Sequence, residues 1–155
     1  AVYPFGCGIY QWAVTYSDQL LDKFLSSHDG TDADFEVLKD VKVRIPSSIG
    51  WGQMITKTAE VSAGLWNEEF LSWGAEDCEF YYRLNLFGFK VGRVIDDIYH
   101  FEHGRTFNSH YHNPKFQDND RLWNWIRTQD KESLTKYYGT LDYIKRRGKE
   151  LHASL

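Results

Sequence analysis

Apolar residues recur along this chain with two spacings, and the changes between them mark out its elements. Tyr10 to Tyr16 (YQWAVTY) is rich in aromatic and β-branched residues and reads as a strand. Ser17 follows as a helix cap, ahead of Leu20, Leu21, Phe24 and Leu25, whose helical spacing turns them to one side. The chain breaks at Gly30, and a short helix restarts after Thr31 with Phe35 and Leu38 inward. Val41 to Ile45 (VKVRI) alternates apolar and basic residues, the pattern of a half-buried strand, and Pro46 ends it. Gln53 to Thr56 reads as a short strand and Lys57 to Ser62 as a short helix stopped by Gly64.

The clearest helix is Glu76 to Phe87. Phe80, Leu84 and Phe87 form one stripe, Glu79 lies four residues ahead of Arg83, and Gly88 stands where a C-terminal stop belongs. Lys90 to Ile95 (KVGRVI) predicts another strand, and the segments beyond Pro114 read as helical to the end, closing on the basic cluster Lys145, Arg146, Arg147 and Lys149. Strands and helices in alternation, without repeats or a low-complexity linker, predict an α/β fold and a single domain over residues 1–155.

Composition narrows the function classes. A chain of 155 residues, 42% hydrophobic and 26% charged, can bury a core and is no disordered tract. The net charge of −4 argues against a broad phosphate-binding face, so no nucleic-acid partner is expected. Cys7 and Cys78 form no CxxC pair, which removes a disulfide framework and a thiolate zinc site and favours a reducing compartment. The start AVYPFGCGIY shows no basic stretch followed by an apolar core, and no run reaches the ~18 apolar residues of a spanning helix. The expected setting is therefore cytoplasmic. Ala1 rather than Met begins the sequence, as expected of a piece of something longer.

Three groups of residues carry candidate chemistry. Glu76 and Asp77 sit in the first turn of the clearest helix, where free N–H groups and the dipole favour carboxylates, so capping accounts for their presence. Capping needs only one acid, however, and this pair follows Trp73-Gly74-Ala75, a small-residue bend carrying a flat ring. A carboxylate there can take a proton from a sugar hydroxyl within ~3 Å. His100, His103, His110 and His112, with Glu102, place borderline metal ligands close together, although HFEH must bend if both its histidines are to bind one ion. Asp32-Ala33-Asp34 is a DxD triplet, but without an apolar strand before it the triplet reads as a helix start. GxxxxGKS/T, GxGxxG, GxSxG and HExxH are all missing from the sequence.

The run GLWNEEFLSWGAED from Gly64 to Asp77, followed by Phe80-Tyr81-Tyr82-Arg83-Leu84 and Gly88, resembles the C-terminal catalytic segment of GT-A glycosyltransferases. It is most similar to the β-1,4-galactosyltransferase family, whose signature reads approximately GWGGEDDD, and to related family 2 bacterial transferases. Gly50 to Thr56 fits the preceding glycine-rich strand, and His103-Gly104-Arg105 resembles that family's His-Ser-Arg. The likeness runs from about Gly50 to Asn113. It implies a GT-A-like mixed sheet with flanking helices, the C-terminal, acceptor-side part of the full fold. It also implies an inverting, metal-dependent transfer of galactose or an N-acetylhexosamine from a UDP-sugar to a glycan acceptor.

By the same resemblance, Asp77 is the base, Glu76 helps to bind sugar, Trp73 and Gly74 line the sugar site and Arg105 lies near the diphosphate. His103 and His100 bind Mn2+ or Mg2+, with His100 where the family commonly has Met. Ala75 departs from the family's second glycine, and the strand-borne DxD half is not recognisable. Bacterial or viral relatives fit the cytoplasmic setting better than the Golgi enzymes do. Two other readings remain: a noncatalytic carbohydrate-binding module derived from a glycosyltransferase, and a structural metal domain built on the histidines.

Overall fold

A computed structural model describes residues 2–3, 11–28, 34–45, 52–93 and 97–153 of the chain. Gly30, Thr31, Asp32, Gly50 and Cys7 lie outside the described residues, so the DxD triplet is represented by Asp34 alone. The chain is mixed α/β, and its contacts sort it into two units. One comprises Tyr3–Trp51 and Arg93–Gly104; the other comprises Ala1–Val2, Gly52–Gly92 and Arg105–Leu155. The two-residue strands β1 (Val2–Tyr3) and β4 (Gly92–Arg93) fall where the chain passes between units.

The first unit is built on a three-stranded sheet. β2 (Gln11–Thr15) is its centre, β3 (Lys42–Arg44) pairs antiparallel on one side and β5 (Ile98–Glu102) parallel on the other. Trp12 is in register with both Arg44 and Tyr99, and the Lys42 ammonium lies 4.5 Å from the centre of the Trp12 ring. α1 (Asp18–Ser26) starts as expected at Ser17, whose hydroxyl accepts from the Leu20 amide at 3.1 Å. Leu20, Leu21 and Phe24 turn inward, whereas Leu25 is exposed, because the side chain that α1 lays on the sheet is Phe24, 5.7 Å from Phe101. A 3-10 turn at Phe35–Leu38, capped by Asp34, takes the place of the short helix; it buries Leu38 and stacks the partly exposed Phe35 on Tyr99.

The second unit is helical. α2 (Lys57–Ser62) is capped by Thr56 and stopped at Gly64, where φ is +92°. The strand expected at Gln53–Thr56 is not formed: Met54 makes one isolated bridge and is exposed, so nothing rewards a longer ladder. α3 (Glu76–Leu86) ends at Gly88, with the Phe89 amide bonded to the Leu84 carbonyl, the closing pattern expected of a left-handed glycine. α4 (Phe116–Ile126), α5 (Lys131–Thr140) and α6 (Asp142–Ala153) follow. Two small cores hold these helices, one around Phe70, Ile126, Leu134 and Tyr138, the other around Ala63, Phe80 and Leu84. Of the strand expected at Lys90–Ile95 only Gly92–Arg93 is formed, and residues 94–96 lie outside the described ones. Among the described residues no helix is long and apolar enough to cross a membrane.

Candidate active site

α3 begins from a backbone that glycine would adopt easily and other residues do not. Ser72, Gly74 and Ala75 have φ of 65°, 137° and 65°. For serine and alanine that conformation costs roughly 1–2 kcal/mol each, so surrounding groups must hold it. They come from residues 108–119. The Asn108 carbonyl accepts from Ser72 Oγ at 2.7 Å and from the Trp73 amide at 3.4 Å. Asn113 Nδ2 donates to the Trp73 carbonyl at 2.7 Å. Asn119 pairs with the Leu71 backbone in both directions, accepting from its amide at 3.1 Å and donating to its carbonyl at 3.0 Å, and its Nδ2 also reaches the Trp73 carbonyl at 3.4 Å. Asn113 and Asn119 are only 4% and 2% exposed.

This framework presents the Trp73 indole. It lies nearly parallel to Phe116, with centroids 5.7 Å apart and planes at 15°, and is still 40% exposed. Gly74 is required twice over, for its φ and because a Cβ there would meet Phe116 Cδ2 at 3.1 Å.

Ala75 offers no capping side chain, so the acids of the first turn supply acceptors. Glu76 Oε2 accepts from the Gly74 amide at 2.8 Å, and Asp77 Oδ1 from the Cys78 amide at 2.7 Å. The Asp77 carboxyl also accepts from the Cys78 thiol, so its partners are those of the adjacent residue and the group stays half-buried. Burial first, and the Asp77 charge second, push the Cys78 thiol up to about 12, so it is no nucleophile at neutral pH.

One turn further along, the Glu79–Arg83 pair at helical spacing is fully buried. Arg83 holds both Glu79 oxygens, Nε to Oε1 at 2.8 Å and a terminal nitrogen to Oε2 at 3.0 Å, with both side chains 0% exposed. The guanidinium also donates to the Ala63 and Leu65 carbonyls, and the Tyr138 hydroxyl donates to Glu79. Leu65 is another left-handed residue, at φ 60°, fixed by this network. Burial raises the Tyr138 and Tyr143 hydroxyls above their ordinary value.

The four clustered histidines separate. His100, on β5, and His103, just beyond it, belong to the sheet unit, where the chain turns enough to bring their rings to 5.7 Å. His100 Nδ1 lies 3.2 Å from Glu102 Oε1, and His103 Nδ1 lies 3.1 Å from the Gly104 carbonyl. These imidazoles suit Mn2+, but among the described residues no three His, Cys, Asp or Glu side chains converge as a metal set would. His110 and His112 stack at 4.8 Å in the helical unit, which also contains the exposed Arg105. Burial, then the His112 and Arg105 charges, lowers the His110 pKa.

Trp73, Gly74, Glu76 and Asp77 are thus brought together, and His100 and His103 form a separate pair. Asn108, Asn113, Phe116 and Asn119 were missed from the sequence. Asn119 had left a trace, since it occupies the stripe of α4 shared by Leu122, Trp123 and Ile126, where an amide is out of place unless it has partners.

Fold and geometry define a mixed α/β protein whose best-formed site is a fixed loop presenting an indole and then two carboxylates, a surface suited to a polyhydroxylated ligand. Residues 38–104 match the family model described as the N-terminal domain of galactosyltransferase. The match spans less than half of the chain and includes Trp73 to Asp77, His100 and His103, so this stretch is galactosyltransferase-like. The description names an N-terminal domain where the motif comparison expects a C-terminal segment; the two agree on the galactosyltransferase likeness and overlap in the residues that carry it. No curated protein and no solved structure matches the chain.

Proposed function

We propose that the chain is part of a GT-A glycosyltransferase that moves galactose or an N-acetylhexosamine from a UDP-sugar to a glycan hydroxyl with inversion. The carrying observation is the half-buried Asp77 carboxylate in the first turn of α3, held by the adjacent Cys78, four residues after an exposed indole and inside the galactosyltransferase-like stretch. Asp77 takes the proton of the acceptor hydroxyl as its oxygen attacks the anomeric carbon, and the bond from that carbon to UDP breaks. The open face of Trp73 carries a sugar ring, and Gly74 lets the turn that presents it sit close against Phe116. Glu76 steadies the loop through the Gly74 amide and lies next to the base. Arg105 is assigned to the diphosphate. His100 and His103 would hold Mn2+ or Mg2+, whose chemistry is to neutralise charge on the departing UDP.

The test is Asp77→Asn in the intact enzyme. UDP release from a panel of UDP-sugars should fall by about 10²–10⁴-fold while UDP binding is retained, and unchanged turnover overturns the assignment. Saturable oligosaccharide binding with no UDP release from any donor would move the chain to the noncatalytic module.

A further inference from the structure

Apart from the local bond of Glu76 to the Gly74 amide, the groups that hold Trp73 in its pose come from residues 108–119, beyond the galactosyltransferase-like stretch, which ends at residue 104. The loop has no helix or strand of its own between Leu71 and Ala75. Three of its residues are at positive φ, two of them not glycine. Left alone it would relax, since single left-handed residues persist only where the surroundings over-determine them. Two buried amides do so here. The Trp73 carbonyl receives Asn113 at 2.7 Å and Asn119 at 3.4 Å, and the second amide also closes a two-way pair on Leu71.

Asn113 is itself tied down. Its Nδ2 also donates to the His110 carbonyl at 3.1 Å, and its Oδ1 accepts from the Lys115 amide at 2.8 Å. Asn119 is held by the packing of α4 through Leu122, Trp123 and Ile126. The amides therefore carry the rigidity of α4 and of the turn before it to the loop. A loop in this pose holds the indole against Phe116 and directs the Gly74 amide to the Glu76 carboxylate, one residue before Asp77.

We infer that Asn113 and Asn119 are positioning residues that set the pose of Trp73 and of the carboxylates after it, and hence the fit of the acceptor sugar. The inference rests on the transferase reading for its effect on sugar, but not for its effect on the loop. Neither asparagine touches a reacting atom. Their contribution is to keep one loop conformation populated, so that an incoming ring meets a formed platform.

The experiment compares Asn113→Ala, Asn119→Ala and Asn119→Asp with the unmodified enzyme. Asn119→Asp keeps the acceptor for the Leu71 amide and loses the donor to the Leu71 and Trp73 carbonyls. Amide exchange is read over residues 70–76 and, as an internal reference, over 79–86, together with KM and kcat for N-acetylglucosamine as acceptor and the Kd for UDP. All three variants should raise exchange in 70–76 by at least about tenfold and leave 79–86 unchanged. Acceptor KM should rise by at least about fivefold with the Kd for UDP unaltered.

Unchanged exchange in 70–76 would overturn the inference, as would an equal rise in both segments, which marks a general loss of structure. A loosened loop with acceptor KM unchanged would overturn it as well. If the unmodified enzyme transfers no sugar at all, the transferase reading falls, and the exchange measurements still decide whether the asparagines hold the loop.

Discussion

The first two turns of α3 carry acids that meet opposite fates. Glu79 is wholly buried, shared between Arg83 and Tyr138, and every part of it has a partner. Glu76 and Asp77, one turn earlier, are half-buried and bonded to neighbours in sequence, Glu76 to the Gly74 amide and Asp77 to the amide and thiol of Cys78. Surroundings rather than residue type separate them: a paired, desolvated carboxylate is a fastener, and one still partly open to solvent beside a held loop can meet a ligand. Both roles lie on a single 11-residue helix.

The comparison breaks most visibly at Arg83. Arg83→Leu strands a buried Glu79 charge and should cost about 3–5 kcal/mol in urea unfolding; a change below about 1 kcal/mol would mean that the network is dispensable. Trp73→Ala acts on the other side. It should weaken binding of the acceptor sugar by about tenfold, equal to roughly 1.4 kcal/mol, while the midpoint of unfolding moves little, and a large drop in melting temperature would show the ring to be core instead of surface.

Alkali should separate the two turns more gently. Cys78, Tyr138 and Tyr143 hold their protons more tightly in the folded chain than when unfolded. The unfolded chain therefore loses protons first, so stability is constant up to about pH 9 and falls as pH rises towards 12. For the half-buried thiol, discounted for solvent screening, the fall is on the order of 1 kcal/mol, and a flat stability profile from pH 9 to 11 would contradict the burial. The smallest effect belongs to Glu76→Gln, which keeps an acceptor for the Gly74 amide and loses the charge at the dipole. It should cost about 0.3–1 kcal/mol, measurable as a small shift in thermal midpoint.

Elements governed by local chemistry were legible in the sequence. Ser17, Gly64 and Gly88 begin or end helices where spacing places them, the short helix Lys57–Ser62 has its expected bounds, and Gln11–Thr15 forms a strand within the expected Tyr10–Tyr16. What depended on distant partners was not. The spacing of Glu79 and Arg83 marks a helical pair but not its burial, since it is the same whether the helix face meets water or Tyr138. Leu25 kept the helical rhythm and still faces outward. Gln53–Thr56 had strand-like composition but makes only the one bridge at Met54. At the candidate site the Trp73 to Asp77 motif stood out, whereas Asn113 and Asn119, which hold it 40 or more positions away, differ from surface asparagines only through their partners.

Ala75 has an implication for engineering. It sits at φ 65° at the head of α3, where the galactosyltransferase signature has glycine. The left-handed cost of roughly 1–2 kcal/mol outweighs the extra chain freedom, roughly 0.4–1 kcal/mol, that glycine would bring to the unfolded state. Ala75→Gly is therefore a stabilising exchange of up to about 1 kcal/mol. The sequence keeps a small reserve of stability undrawn in the turn that leads into α3, one methyl group away from glycine.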